Sequence, residues 1–140
     1  MTQTIERKIS AALILFALLS ITLPNTHAQK SRVQRVQFPR GKTSIVLRGV
    51  LRGKADMTYV VRARRGQRLT TNLTVENNCC ASVLIKGPDG TNQVNEDGTD
   101  AGEASNIVLE RTGDYRIIVF PPDTAYRSDI ARYTLEIRVE

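Results

Sequence analysis

Residues 131–139 read Ala131-Arg132-Tyr133-Thr134-Leu135-Glu136-Ile137-Arg138-Val139. In an extended chain Tyr133, Leu135, Ile137 and Val139 fall on one side, and Arg132, Thr134, Glu136 and Arg138 on the other. Strand side chains alternate between faces with a period of two, so this stretch is a β-strand with one buried face.

The same pattern recurs upstream. Residues 43–52 form a run closed by Gly53. Residues 57–65 place Tyr59, Val61 and Ala63 opposite Arg62 and Arg64, and Gly66-Gln67 turns the chain. Residues 68–75 set Leu69, Thr71, Leu73 and Val75 against Arg68, Thr70, Asn72 and Thr74. The short link between these two runs predicts a hairpin. Residues 80–86 end at Gly87-Pro88-Asp89-Gly90, whose Pro and Gly positions suit a type I turn. Residues 105–111 and 114–120 complete the set, the latter with Tyr115, Ile117 and Val119 on one face. Residues 91–104 are rich in Gly, Asn, Asp and Glu and read as a long irregular loop. Nowhere beyond residue 28 does a helical period hold. About seven short strands separated by Gly-rich turns predict an all-β fold, an antiparallel β-sandwich of jelly-roll type.

Residues 1–28 have a different character. Arg7 and Lys8 precede an apolar run from Ile9 to Leu23, and Thr26-His27-Ala28 supplies small residues before a cut. That order is the signal-peptide pattern, with cleavage near Ala28 and a helical apolar segment. The run is short for a retained membrane span. The expected product is secreted or periplasmic, without a transmembrane anchor. Residues 29–42 form a basic, poorly ordered N-terminal arm, and residues 43–140 a single domain large enough to bury a core.

Composition removes whole classes of chemistry. The chain has a single histidine, His27, and it falls in the leader. A histidine base, a Ser-His-Asp triad and a histidine-ligated zinc are therefore absent from the mature chain. Trp is missing and aromatics make up 5% of residues, so the core must rest on Val, Ile, Leu and a few Tyr. Charge is uneven: residues 29–70 hold twelve Lys or Arg and one acid, Asp56, whereas residues 71–140 hold six and twelve. Such asymmetry suits an anionic partner, although strand faces turned to water also carry charge of this kind.

The order Phe38-Pro39-Arg40-Gly41-Lys42-Thr43-Ser44, Arg48-Gly49-Val50-Leu51-Arg52-Gly53, Tyr59-Val60-Val61-Arg62-Ala63-Arg64-Arg65-Gly66-Gln67-Arg68-Leu69, Gly113-Asp114-Tyr115-Arg116-Ile117 and Tyr133-Thr134-Leu135-Glu136-Ile137 resembles the bacterial pre-peptidase C-terminal (PPC-like) β-sandwich. Within that group it is similar to the periplasmic inhibitors of goose-type lysozyme. The resemblance covers nearly all of residues 29–140, and its motifs are turns and core positions, which report fold better than function. Those inhibitors resemble one another in a Ser-Gly-Asn-like loop that enters the lysozyme cleft. Here the region reads Asp97-Gly98-Thr99-Asp100-Ala101-Gly102-Glu103-Ala104-Ser105-Asn106, so the motif itself is not present.

Three groups are candidate sites. Cys79-Cys80 permits a vicinal disulfide, an intermolecular bridge, or one buried and one surface thiol. Strand alternation favours the last, since neighbouring side chains point to opposite faces. Asp89, Glu96, Asp97, Asp100 and Glu103 gather in or beside the irregular loop. Their spacing departs from an EF-hand, which favours a solvated turn over a calcium site, so no metal or cofactor is assigned. Asp97, Asp100 and Glu103 remain candidates for partner contact. Arg62 and Arg64, with Arg65, Arg68, Arg48 and Arg52, are expected to line one sheet face, where guanidinium groups suit carboxylate or phosphate. Exposed aromatics interleaved with them are few, and export argues against nucleic acid. The sequence thus predicts a non-catalytic envelope or extracellular binding domain with a protein or anionic-glycan partner. Inhibition of a goose-type lysozyme is the alternative implied by resemblance, and a calcium- or anionic-glycan-binding module is a further one.

Overall fold

The computed structural model describes residues 31–76, 81–93, 104–124 and 129–140. Nine strands lie among them: β1 (Arg32–Arg35), β2 (Ser44–Arg52), β3 (Met57–Ala63), β4 (Arg68–Val75), β5 (Ser82–Lys86), β6 (Asn92–Gln93), β7 (Ala104–Val108), β8 (Gly113–Phe120) and β9 (Ile130–Val139). A five-stranded sheet runs β1-β3-β8-β5-β6 and a four-stranded sheet runs β2-β9-β4-β7. Every pairing is antiparallel except β1 with β3. The predicted sandwich is what forms, with the seven expected strands and two short additions, β1 and β6.

The alternation read in the sequence fills the space between the sheets. From β9 come Tyr133, Leu135, Ile137 and Val139, and from β4 Leu69 and Leu73; Tyr59 and Val61 of β3, Val83 and Ile85 of β5, and Tyr115, Ile117 and Val119 of β8 meet them. Each large side chain so buried contributes roughly 1.5–3 kcal/mol. The alternate positions, among them Arg62, Arg116 and Arg138, are exposed. β8 in one sheet and β9 in the other are inner strands, each paired on both sides over part of its length.

Two connections explain how the layers are joined. The expected hairpin between residues 57–65 and 68–75 does not form, because β3 and β4 belong to different sheets. The Arg64–Gln67 turn carries the chain across the sandwich. Gly66 takes a φ of +85° there, which favours glycine. Gln67 closes the turn with its side chain, accepting from the Arg64 N–H at 2.7 Å. At the other corner the Tyr115 hydroxyl donates to the Arg111 carbonyl at 2.7 Å, tying a buried ring back to the loop before β8.

The N-terminal arm also departs from expectation. Arg32–Arg35 pairs in parallel with Met57–Val60, and Val36 N–H continues the ladder to the Val60 carbonyl at 2.9 Å. Arg35 secures β1 from outside by reaching across to Asp114 of β8 at 2.6 Å. Within the stretch read as irregular, Asn92–Gln93 returns along β5 after the expected turn, which Gly90 N–H closes onto the Gly87 carbonyl at 2.9 Å. The leader, the cysteine pair Cys79-Cys80 and most of the acidic loop lie outside the described residues.

Candidate binding cleft

The two sheets do not close along one side. There β1, an edge of the five-stranded sheet, and β2, an edge of the four-stranded sheet, border a cleft of about 580 Å³. Arg32, Val33 and Gln34 form one wall, Arg48 to Arg52 the other, and Tyr59 and Tyr133 reach its floor.

The cleft has a cause in the sequence. On the inward face of β2, Gly49 stands between Leu47 and Leu51 with no side chain of its own. Its register partner on β9 is Tyr133, whose ring occupies the space. A Cβ added to Gly49 would collide with the Tyr133 hydroxyl oxygen and Cζ. Glycine within a strand commonly marks such a close approach. The Tyr133 hydroxyl then crosses the interior to share a 2.9 Å hydrogen bond with the Tyr59 hydroxyl of the opposite sheet. Burial, and then the bond to Tyr59, push the Tyr133 phenol above its ordinary range. It therefore stays neutral at physiological pH and offers polarity without basicity.

At one end of the cleft stands Asp56. Its Oδ1 is buried and takes no hydrogen bond among the described residues. A buried oxygen without a donor is costly. Bordering the cleft, on the exposed face of the four-stranded sheet, Arg48 and Arg52 of β2 lie beside Arg132 of β9, the partner of Val50. Among the described residues none of these three guanidinium groups is paired with a carboxylate. Others are: Arg35 and Arg62 share Asp114 at 2.6 and 3.5 Å, Arg138 meets Glu136 and Glu140, and Arg111 meets Asp89.

The arginines expected on one sheet face are thus divided. Arg62 projects from the five-stranded sheet beside Asp114, while Arg48 and Arg52 project from the four-stranded sheet on the opposite side. Arg64 sits beyond the end of β3 with its side chain exposed, held through its backbone in the turn to Gln67. Arg68 opens β4 on the sheet of Arg48 and donates to Asn106 at 2.8 Å. Asp97, Asp100, Glu103, Cys79 and Cys80 lie outside the described residues. Among those described, no cluster of three or more His, Cys, Asp or Glu is placed to hold a metal, and no helix is long and apolar enough to cross a membrane.

Sequence reasoning missed Gly49, Asp56, Gln34 and the two tyrosine hydroxyls. Two signals were present: a glycine interrupting an alternating strand, and Asp56 as the sole acid in a basic half-chain.

No family profile matches the sequence, and no curated protein sequence matches it. Solved structures do match. Aeromonas hydrophila PliG, a periplasmic lysozyme inhibitor of g-type lysozyme, overlays with a TM-score of 0.67 at 21% identity, across 79% of this chain and 98% of that one. Salmonella Typhimurium PliG, likewise a periplasmic inhibitor of g-type lysozyme, gives 0.58 at 22% identity, across 78% and 98%. A mutant of the Escherichia coli inhibitor gives 0.58 at 20% identity, across 79% and 98%. At these identities the shared property is architecture. The chain therefore has a β-sandwich fold that resembles that of the periplasmic inhibitors of g-type lysozyme.

Proposed function

We propose that this protein is a secreted or periplasmic, non-catalytic binding domain that engages an anionic partner along the cleft between β1 and β2. The observation that carries this reading is the set Arg48, Arg52 and Arg132, exposed beside an open cleft without a carboxylate partner among the described residues. Guanidinium groups in that position attract carboxylates or phosphates by charge and by paired hydrogen bonds. The leader pattern over residues 1–28 supports export. The absence of histidine from residues 29–140 supports binding over turnover.

The test is direct. Purified protein is presented to an anionic polyuronate and to a neutral glucan by biolayer interferometry at low and high salt. Binding to the polyuronate that weakens with salt, and that falls at least tenfold in the Arg48→Ala/Arg52→Ala/Arg132→Ala variant, is expected of a glycan partner. Equal binding by that variant contradicts the assignment of these residues.

A second reading is supported by the three overlays: inhibition of a g-type lysozyme, as the solved inhibitors are described. Lysis of a cell-wall suspension by a g-type lysozyme, measured with the protein in excess, decides it. Undiminished lysis removes that reading for the enzyme tested.

A further inference from the structure

We propose that the open edge of β2 accepts an extended peptide segment, with acidic and apolar residues alternating, as an added strand of the four-stranded sheet. This rests on the binding-domain reading and names the partner of the same cleft.

The hydrogen-bond parity of β2 supports it. Gly53 N–H donates to the Asp129 carbonyl, and Val139 N–H donates to the Thr43 carbonyl, both in register with the β2·β9 ladder. Bonded pairs in an antiparallel ladder recur every second residue. Ile45, Leu47, Gly49 and Leu51 therefore exchange bonds with β9. Ser44, Val46, Arg48 and Val50 turn their backbone N–H and C=O groups to the free edge, as Arg52 does its N–H, while the Arg52 carbonyl accepts from the Ala55 N–H at 3.2 Å. No strand among the described residues pairs with that edge. The edge is long and carries exposed Val46 and Val50, 57% and 42% accessible. Edges of this kind recruit strands unless shielded.

Charge selects the occupant. A second copy pairing through β2 would bring Arg48 and Arg52 of each chain onto one short ladder, and like charges on neighbouring strands repel. A guest with Asp or Glu at its outward positions meets those same arginines favourably. Its inward residues enter the cleft above Leu51 and Tyr59, where apolar side chains fit.

The probe is a blocked, fluorescent seven-residue peptide in which Glu alternates with Val, followed by anisotropy with the full protein. Three comparisons are made: a peptide of the same composition in scrambled order, one with Lys for Glu, and one N-methylated along a single edge. The proposal expects saturable binding of the alternating peptide and at least tenfold weaker binding of the other three. It also expects at least tenfold weaker binding by the Arg48→Glu/Arg52→Glu variant and by Val50→Pro, which removes an edge donor and no bond to β9. The N-methylated peptide keeps the test intact should Val50→Pro fail to fold. Absent binding, equal binding of the scrambled or N-methylated peptide, or a dimer in sedimentation that Val50→Pro dissociates would each overturn the proposal. Loss of peptide binding with retained polyuronate binding sinks the added strand while leaving the binding-domain reading in place.

Discussion

The hydroxyls of Tyr59 and Tyr133 meet 2.9 Å apart in the interior of the sandwich, one contributed by each sheet. Both rings are almost fully buried, so each hydroxyl depends on the other for its hydrogen bond. The pair joins the layers with a directional contact where the rest of the interface is largely apolar, and it forms part of the cleft floor.

Removing one hydroxyl leaves the other buried and unpaired. Tyr133→Phe and Tyr59→Phe are each expected to destabilise the fold by about 1–2 kcal/mol. The double variant should cost less than the sum, because neither residue then retains an orphaned oxygen. Urea denaturation of the four proteins measures the coupling. Additive losses would show that the hydroxyls act independently.

Gly49 is the second half of this arrangement. An alanine there would place its Cβ against the Tyr133 ring, so the ring must move and the bond to Tyr59 must stretch or break. Gly49→Ala is expected to cost about 1–3 kcal/mol, in the range of overpacked cores. In a Tyr133→Leu background, where the hydroxyl and the ring edge are gone, the same alanine should cost markedly less. Thermal melts of the single and double variants check this. An equal cost in both backgrounds would detach the glycine from the tyrosine.

Asp114 gives the fold an acid sensitivity at β1. Its hydrogen bond to Arg35, then the charge of Arg35 and of Arg62, hold its carboxyl below the ordinary carboxylate range. In the acid range the folded state thus binds fewer protons than the unfolded state. The stabilisation is complete above the unfolded pKa of about 3.9 and disappears as pH falls through the folded value. Asp114→Asn should lower the melting temperature slightly at pH 7, and the gap to the parent should close as pH falls below the ordinary aspartate range. Because the pair is exposed, high salt should narrow the same gap at neutral pH. A gap independent of both pH and salt would contradict the ion pair.

Much of the fold was legible because burial imposes a period. β9, β4 and β8 each present one dry face, and their alternating residues can be read without knowing the neighbours. The Tyr115 corner and the Gly66-Gln67 turn were legible because their bonds are local in sequence. Sheet membership was not. A turn of the length that follows β3 makes a hairpin in a single sheet but a crossing in a sandwich, and the difference lies in tertiary packing. β1 was missed because its four residues are all exposed and its pairing with β3 is parallel and non-local. The arginine face was misjudged for the same reason: Arg48 and Arg62 share a charge but stand on opposite sheets. The Tyr59–Tyr133 bond depends on how two sheets stack, and no single strand encodes that.

The claim on which the cleft depends is that β2 is bonded on one edge and open on the other. Native-state amide exchange, followed residue by residue by NMR on the free protein, tests it most directly. The account predicts slow exchange at Ile45, Leu47, Gly49 and Leu51, and fast exchange at Val46, Arg48, Val50 and Arg52 between them. Uniform protection along all nine residues of β2 would mean that its outer edge is already covered, and would contradict the account.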